Sequence, residues 1–161
     1  MSNIATSHTM PSGGIATLPL RAVALLERIP VAIPQLLFRF GMGLVFWRSA
    51  DSKLDSWDTT LLLFREEYKL PVLPPELAAY LATAVELTAP ILLAIGLAAR
   101  LGAHAMLGMT LVIQLFVYPQ SYPDHLLWAG PLLYLAIRGP GVISLDHLIR
   151  RYFERNSGKY S

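Results

Sequence analysis

The 161-residue chain contains no cysteine. That excludes disulfides, thiolate catalysis, cysteine-ligated iron–sulfur clusters and covalent c-type haem. Charge is also scarce: Asp, Glu, Lys and Arg make up 15% of the residues, against roughly 25% in an ordinary soluble domain. What charge there is nearly cancels, 13 bases against 11 acids for a formal net charge of +2. A pI near 9.0 therefore rests on a small excess, too small to mark a nucleic-acid partner. No nucleophile elbow, Walker loop, dinucleotide fingerprint or HExxH pair occurs, and no dense set of ligating side chains suggests a metal site. The first 20 residues carry no Lys, Arg, Asp or Glu and read as a mobile tail, without the basic start and apolar run of a signal peptide.

Apolar residues fill the space that charge leaves. They make up 54% of the chain, which excludes disorder, and the length suits one domain, expected over 21–155 with a tail at 156–161. Four long apolar segments stand out, at Val31–Ala50, Glu76–Ala98, Leu101–Tyr118 and His125–Ile143. At 1.5 Å per residue, ~20 residues cross a ~30 Å hydrocarbon layer. The expected fold is all-α: an integral membrane four-helix bundle. The N-terminal lead-in at 21–28, the turn at Arg100 and the C-terminal tail fall on one side of such a bundle. That side holds eight bases (Arg21, Arg28, Arg100, Arg138, Arg150, Arg151, Arg155, Lys159) against Lys53, Arg65 and Lys69 on the other, which puts both termini in the cytoplasm.

Two short amphipathic helices are expected at the interfaces. Ser56 can cap one whose stripe is Trp57, Leu61, Phe64 and Tyr68. Ser144 can cap another with Leu145, Leu148, Ile149, Tyr152 and Phe153 on one face, a pattern suiting a membrane surface or a partner protein.

Polar residues inside the apolar segments are the candidate site. Glu86 lies mid-way along the second and needs a partner, a proton or water. Arg39 in the first lies ~12 Å deep and Glu86 ~18 Å deep from the cytoplasmic side, so a buried Arg39–Glu86 pair is expected, with Gln114 of the third segment completing the cluster. Lys53 falls fourteen positions after Arg39, close to the same helix face, and can face the bundle or simply cap the helix end. His104 and His125 differ in depth by roughly 20 Å, too far to share a haem iron. His125, beside Asp124 and near Trp128, can carry protons or touch a quinone head at the outer boundary. Gly139-Pro140-Gly141 ends the fourth segment.

Three stretches taken together resemble the DoxX family of small bacterial four-span membrane proteins. They are Arg39-Phe40-Gly41-Met42-Gly43-Leu44-Val45-Phe46 with Lys53-Leu54; Val85-Glu86-Leu87 with Gly96-Leu97-Ala98-Ala99-Arg100-Leu101; and Gly139-Pro140-Gly141-Val142-Ile143-Ser144-Leu145-Asp146. The likeness runs from about Gln35 to Ile149. Departures are Ser49-Ala50-Asp51-Ser52 and Ala89-Pro90, where family members often carry glycine. The resemblance implies a multi-pass protein of the cytoplasmic (inner) membrane, with Arg100, Gly139 and Gly141 as structural turn residues. It also implies an accessory role in a quinone-linked oxidoreductase assembly, with a non-covalent quinone as the cofactor and with complex subunits or further copies of the chain as partners beside the lipid bilayer. Arg39, Glu86, Lys53 and Gln114 would be the polar centre, with His125 and Trp128 the quinone or proton contacts. A non-catalytic scaffold for partner proteins, or a small permease or proton carrier using Glu86, are the alternatives.

Overall fold

The computed structural model describes residues 23–157; the expected N-terminal tail at 1–20 and the last four residues lie outside them. Residues 23–30 form a unit of their own, with one helical turn at 23–26. From Val31 onward every regular element among the described residues is helical.

Helix α1 spans Ala32–Asp55. Its buried residues Ala32, Gln35, Arg39, Met42, Gly43, Phe46 and Ala50 recur every three or four positions, the spacing of one helix face. Helix α2, Trp57–Leu63, runs on as a π-helical turn over Phe64–Tyr68 and stops at Lys69. Helix α3 spans Pro75–Ile95. Pro75 suits the first helical position because its missing N–H would have no partner there. Gly96 ends the helix in the left-handed region at φ 70°, the usual glycine cap. Helix α4, Ala99–Val112, continues as a π-helix over Ile113–Val117. Helix α5 spans Tyr122–Arg138 and helix α6 Leu145–Ser157.

The four longest helices pack in a closed ring: α1 on α3, α3 on α4, α4 on α5, and α5 back on α1. Their shared core is Met42, Phe46, Ala89, Leu93, Ala103, Met106, Leu132, Leu135 and Ala136. Small residues set the spacing of α3 and α4. A Cβ on Gly102 would come 2.8 Å from a methyl of Leu93, so only glycine fits without displacing that side chain.

Two helical rods, Pro75–Ile95 and Ala99–Val117, are long and apolar enough to cross a membrane. Only 39% and 22% of their most apolar windows are buried, so most of those side chains face outward, opposite to the core helices of a soluble protein. The expectation of four such segments is met in part. Helix α1 is long enough, but Gln35, Arg39 and Arg48 dilute its apolar character. Helix α5 stops at 17 residues because Gly139 leaves the helix at φ 83° and ψ −176°. The segment expected over His125–Ile143 is thus shifted toward the N-terminus.

Two local expectations need correction. Ser56 occupies the position before α2, but its hydroxyl pairs with that of Thr59 at 2.8 Å rather than with a backbone N–H. The Trp57–Tyr68 stripe does not lie on an open interface. Phe64 packs with Ala78 and Ala79 of α3, and Trp57, Leu61 and Tyr68 close around them. The Ser144 cap does form: its hydroxyl accepts from the His147 N–H at 3.2 Å.

Candidate functional site

The buried polar side chains gather at opposite ends of the ring. At one end Arg39, 2% exposed, donates only to backbone carbonyls. Nε reaches Leu93 O at 2.6 Å and Nη2 reaches Ala94 O at 2.6 Å. Nη1 reaches Pro140 O at 3.3 Å and Ile143 O at 2.5 Å. Leu93 and Ala94 belong to the last turn of α3, where carbonyls run short of helical partners (Leu93 O keeps only a 3.1 Å bond from the Gly96 N–H) and a cation is favoured. Gly96 and Gly141 make room for this arrangement. A Cβ on Gly96 would fall 2.8 Å from Arg39 Nη2, and one on Gly141 would fall 2.1 Å from Gln35 Oε1. Asp146 closes the same end. Its carboxylate accepts from Ala98 N at 2.8 Å and Ala99 N at 3.1 Å, capping α4, while its own N–H donates to Gly96 O at 2.9 Å. Arg100 lies along the Gly139 turn and makes a long 3.5 Å contact with Arg138 O.

The expected Arg39–Glu86 pair does not form. Glu86 pairs instead with Lys53, at the opposite end. Lys53 Nζ lies 2.9 Å from both carboxylate oxygens. The two oxygens differ in bonding: Oε1 accepts from the ammonium and from the Ser49 hydroxyl at 3.0 Å, whereas Oε2 is in ion contact only and receives no aligned hydrogen bond. The Lys53 side chain is 14% exposed and that of Glu86 2%. Helix geometry explains the choice. Gly43 and Pro90 face each other across α1 and α3, so four residues further along each helix Glu86 stands near the level of Trp47. Arg39 and Lys53 are then ~12 Å and ~9 Å away along the axis, in opposite directions. Side chains on a helix lean toward its N-terminus. In these antiparallel helices that tilts Lys53 and Glu86 toward each other and Arg39 away. Pro90 adds a second effect: it supplies no N–H to the Glu86 carbonyl one turn back.

Gln114 does not join the ion pair either. Its amide nitrogen donates to Pro119 O at 2.9 Å, and its Oε1 meets His125 Nδ1 at 2.6 Å. His125, 5% exposed, packs against Trp128, which also meets Phe46 edge-on.

Lys53, Glu86, Ser49, His125 and Trp128 all line one cavity of about 420 Å³, within the range of small-ligand sites. Its remaining wall is almost wholly apolar, from Val45, Leu81, Val85, Met109 and Ile113 among others. The two π-helical turns border it through Phe64, Tyr68, Ile113 and Val117. They are joined by Tyr118, whose hydroxyl donates to Glu67 at 2.6 Å. Burial, then the bonds to Glu67 and Tyr68, push the Tyr118 phenol well above its ordinary value. Sequence reasoning gave Tyr118 a place only among the outer-boundary aromatics and gave no site role to Ser49 or Asp146. Ser49 was findable, being one helical turn before Lys53 on its face.

A family model for DoxX matches residues 35–119. The chain belongs to the DoxX family. The match covers α1 to the π-helical end of α4 and so contains the Lys53–Glu86 pair and the Arg39 acceptors on α3. The Gly139–Asp146 segment lies beyond it. No curated protein and no solved structure matches the chain. DoxX membership makes this a membrane protein, in keeping with its two long apolar helices.

Proposed function

We propose that this DoxX protein crosses the bacterial cytoplasmic membrane four times, with both termini in the cytoplasm, and serves as an accessory subunit of a quinone-linked oxidoreductase assembly. The cavity beside Lys53 and Glu86 is the seat of the quinone-class headgroup. The observation that carries the reading is that cavity: apolar walls able to take a ring and the start of a lipid tail, and one polar end built from buried groups. The Lys53–Glu86–Ser49 cluster forms its polar floor, and His125 with Trp128 forms a flat flank. Electrons reach the ligand from a partner subunit. The ring of four helices, and Arg100 and Arg138 beside the Gly139 turn at the Arg39 end, support the topology.

Purified protein warmed with a short-tailed benzoquinone should gain thermal stability, by about 2.7 kcal/mol at a hundredfold excess over Kd. Ala105→Trp, which fills the cavity, should abolish the gain. A saturating quinone without effect, or an equal effect on the filled variant, defeats the reading. Reporter tags on the two ends test the topology, and opposite faces would refute four crossings.

A scaffold role is favoured by one observation. Helix α6 leaves Leu148 and Tyr152 largely exposed, an apolar face that a partner could cover. Loss of co-purifying proteins on deleting residues 144–161, with the quinone effect absent, would select it.

A further inference from the structure

The donors at the polar end of the cavity are nearly all spoken for, and two acceptors are not. The Lys53 ammonium directs its hydrogens to Glu86 Oε1 at 2.9 Å, Ser49 Oγ at 2.9 Å and Ser49 O at 3.5 Å. Three hydrogens are all an ammonium has. The Ser49 hydroxyl is committed to Glu86. The Tyr118 hydroxyl is committed to Glu67. On the acceptor side, Glu86 Oε2 is buried and receives no hydrogen bond. It is shut from a water-sized sphere in this conformation. The ammonium is equidistant from both oxygens, however, and the terminal carboxylate torsion is soft, so a small rotation presents one oxygen to the cavity while Lys53 keeps the other.

His125 supplies the second acceptor. Gln114 gives its N–H to Pro119 O, which orients its amide with Oε1 toward His125. An amide oxygen only accepts, so Nδ1 carries a proton, and in the neutral tautomer this selects, Nε2 is the lone-pair acceptor. The Trp128 indole N–H and the Tyr68 hydroxyl are the side-chain donors on the wall without an acceptor among the described residues.

We infer that the cavity is built for the reduced, dihydroxy form of an aromatic amphiphile, a hydroquinone, in preference to the quinone. Its two hydroxyls donate to His125 Nε2 and to the Glu86 carboxylate, and a ring oxygen accepts from Trp128. A quinone offers acceptors alone; it could use the indole or the Tyr68 hydroxyl, but at the polar end it would set carbonyl oxygens against a carboxylate and an imidazole lone pair. The inference rests on the quinone-class reading above and adds the redox form to it.

The test uses full-length protein in lipid nanodiscs under argon, with empty nanodiscs correcting for partition. The probes are a decyl-substituted benzoquinone, its hydroquinone and the dimethyl ether of that hydroquinone. The hydroquinone should bind at least tenfold tighter than the other two. His125→Phe should narrow the preference for hydroquinone over quinone and over the ether about tenfold. The ligand series on unaltered protein stands even if that variant fails to fold. Quinone binding as tight as hydroquinone, or an ether matching its parent, overturns the inference and leaves the quinone-class site standing. Binding of none of the three removes both.

Discussion

Replacing Lys53 by methionine should cost about 3–5 kcal/mol of stability, the usual result of stripping one partner from a buried ion pair. The substitution keeps the aliphatic stem and removes the ammonium, its contacts with both Glu86 oxygens and its two bonds to Ser49. Glu86 would be left 2% exposed with only the Ser49 hydroxyl. Glu86→Gln should cost less, about 1–3 kcal/mol, because Lys53 is nearer the surface and can turn outward. Lys53→Met combined with Glu86→Leu removes both charges and should recover most of the loss, ending within ~1 kcal/mol of the parent or up to ~4 kcal/mol above it. Unfolding in mixed micelles by SDS titration, followed by helix circular dichroism, gives each value. A single Lys53→Met variant losing under ~1 kcal/mol, or a double variant no better than that single one, would show that the pair is not energetically coupled.

Arg39→Lys keeps the charge but gives up the planar fork that reaches four carbonyls; each stranded carbonyl costs ~1–3 kcal/mol, and the same titration measures the sum. Gly141→Ala should destabilise through its φ of 87° and the clash with Gln35, whereas Gly108→Ala, where an added methyl meets nothing within 4 Å, should gain about 0.5–1 kcal/mol of helix propensity. Asp146→Ala should lose ~1 kcal/mol from the α4 cap, seen as faster amide exchange at Ala98 and Ala99. Tyr118 stays protonated in the folded protein above the ordinary tyrosine value of about 10, so its contribution is intact below that value and fades as the unfolded chain ionises above it. Absorbance at 295 nm should show a late-titrating phase that Tyr118→Phe removes.

The helices and their polar residues were legible because they follow from length and hydropathy. Pairing was harder, since it depends on how two helices face each other. Depth alone put Arg39 within reach of Glu86, but depth ignores the lean of side chains toward each helix's own N-terminus, which favours Lys53. Arg39 was expected to seek a carboxylate; its acceptors are main-chain oxygens of Leu93, Ala94, Pro140 and Ile143, and backbone acceptors leave no trace in residue identity. Asp146 was readable only as a surface acid because the N-terminus it caps lies 47 or 48 positions away. The Trp57–Tyr68 stripe was found correctly, but a stripe does not say whether lipid or Ala78 and Ala79 will cover it.

The carbonyl cradle around Arg39 also sets an order of events during synthesis. The guanidinium is made 54 residues before Leu93 and 104 before Ile143, so for most of translation it must wait for oxygens that do not yet exist. Docking of α1 into the ring is thus completed only when the final fifth of the chain arrives, and a ribosome stalled before Pro140 should hold a nascent protein whose first helix remains accessible to protease.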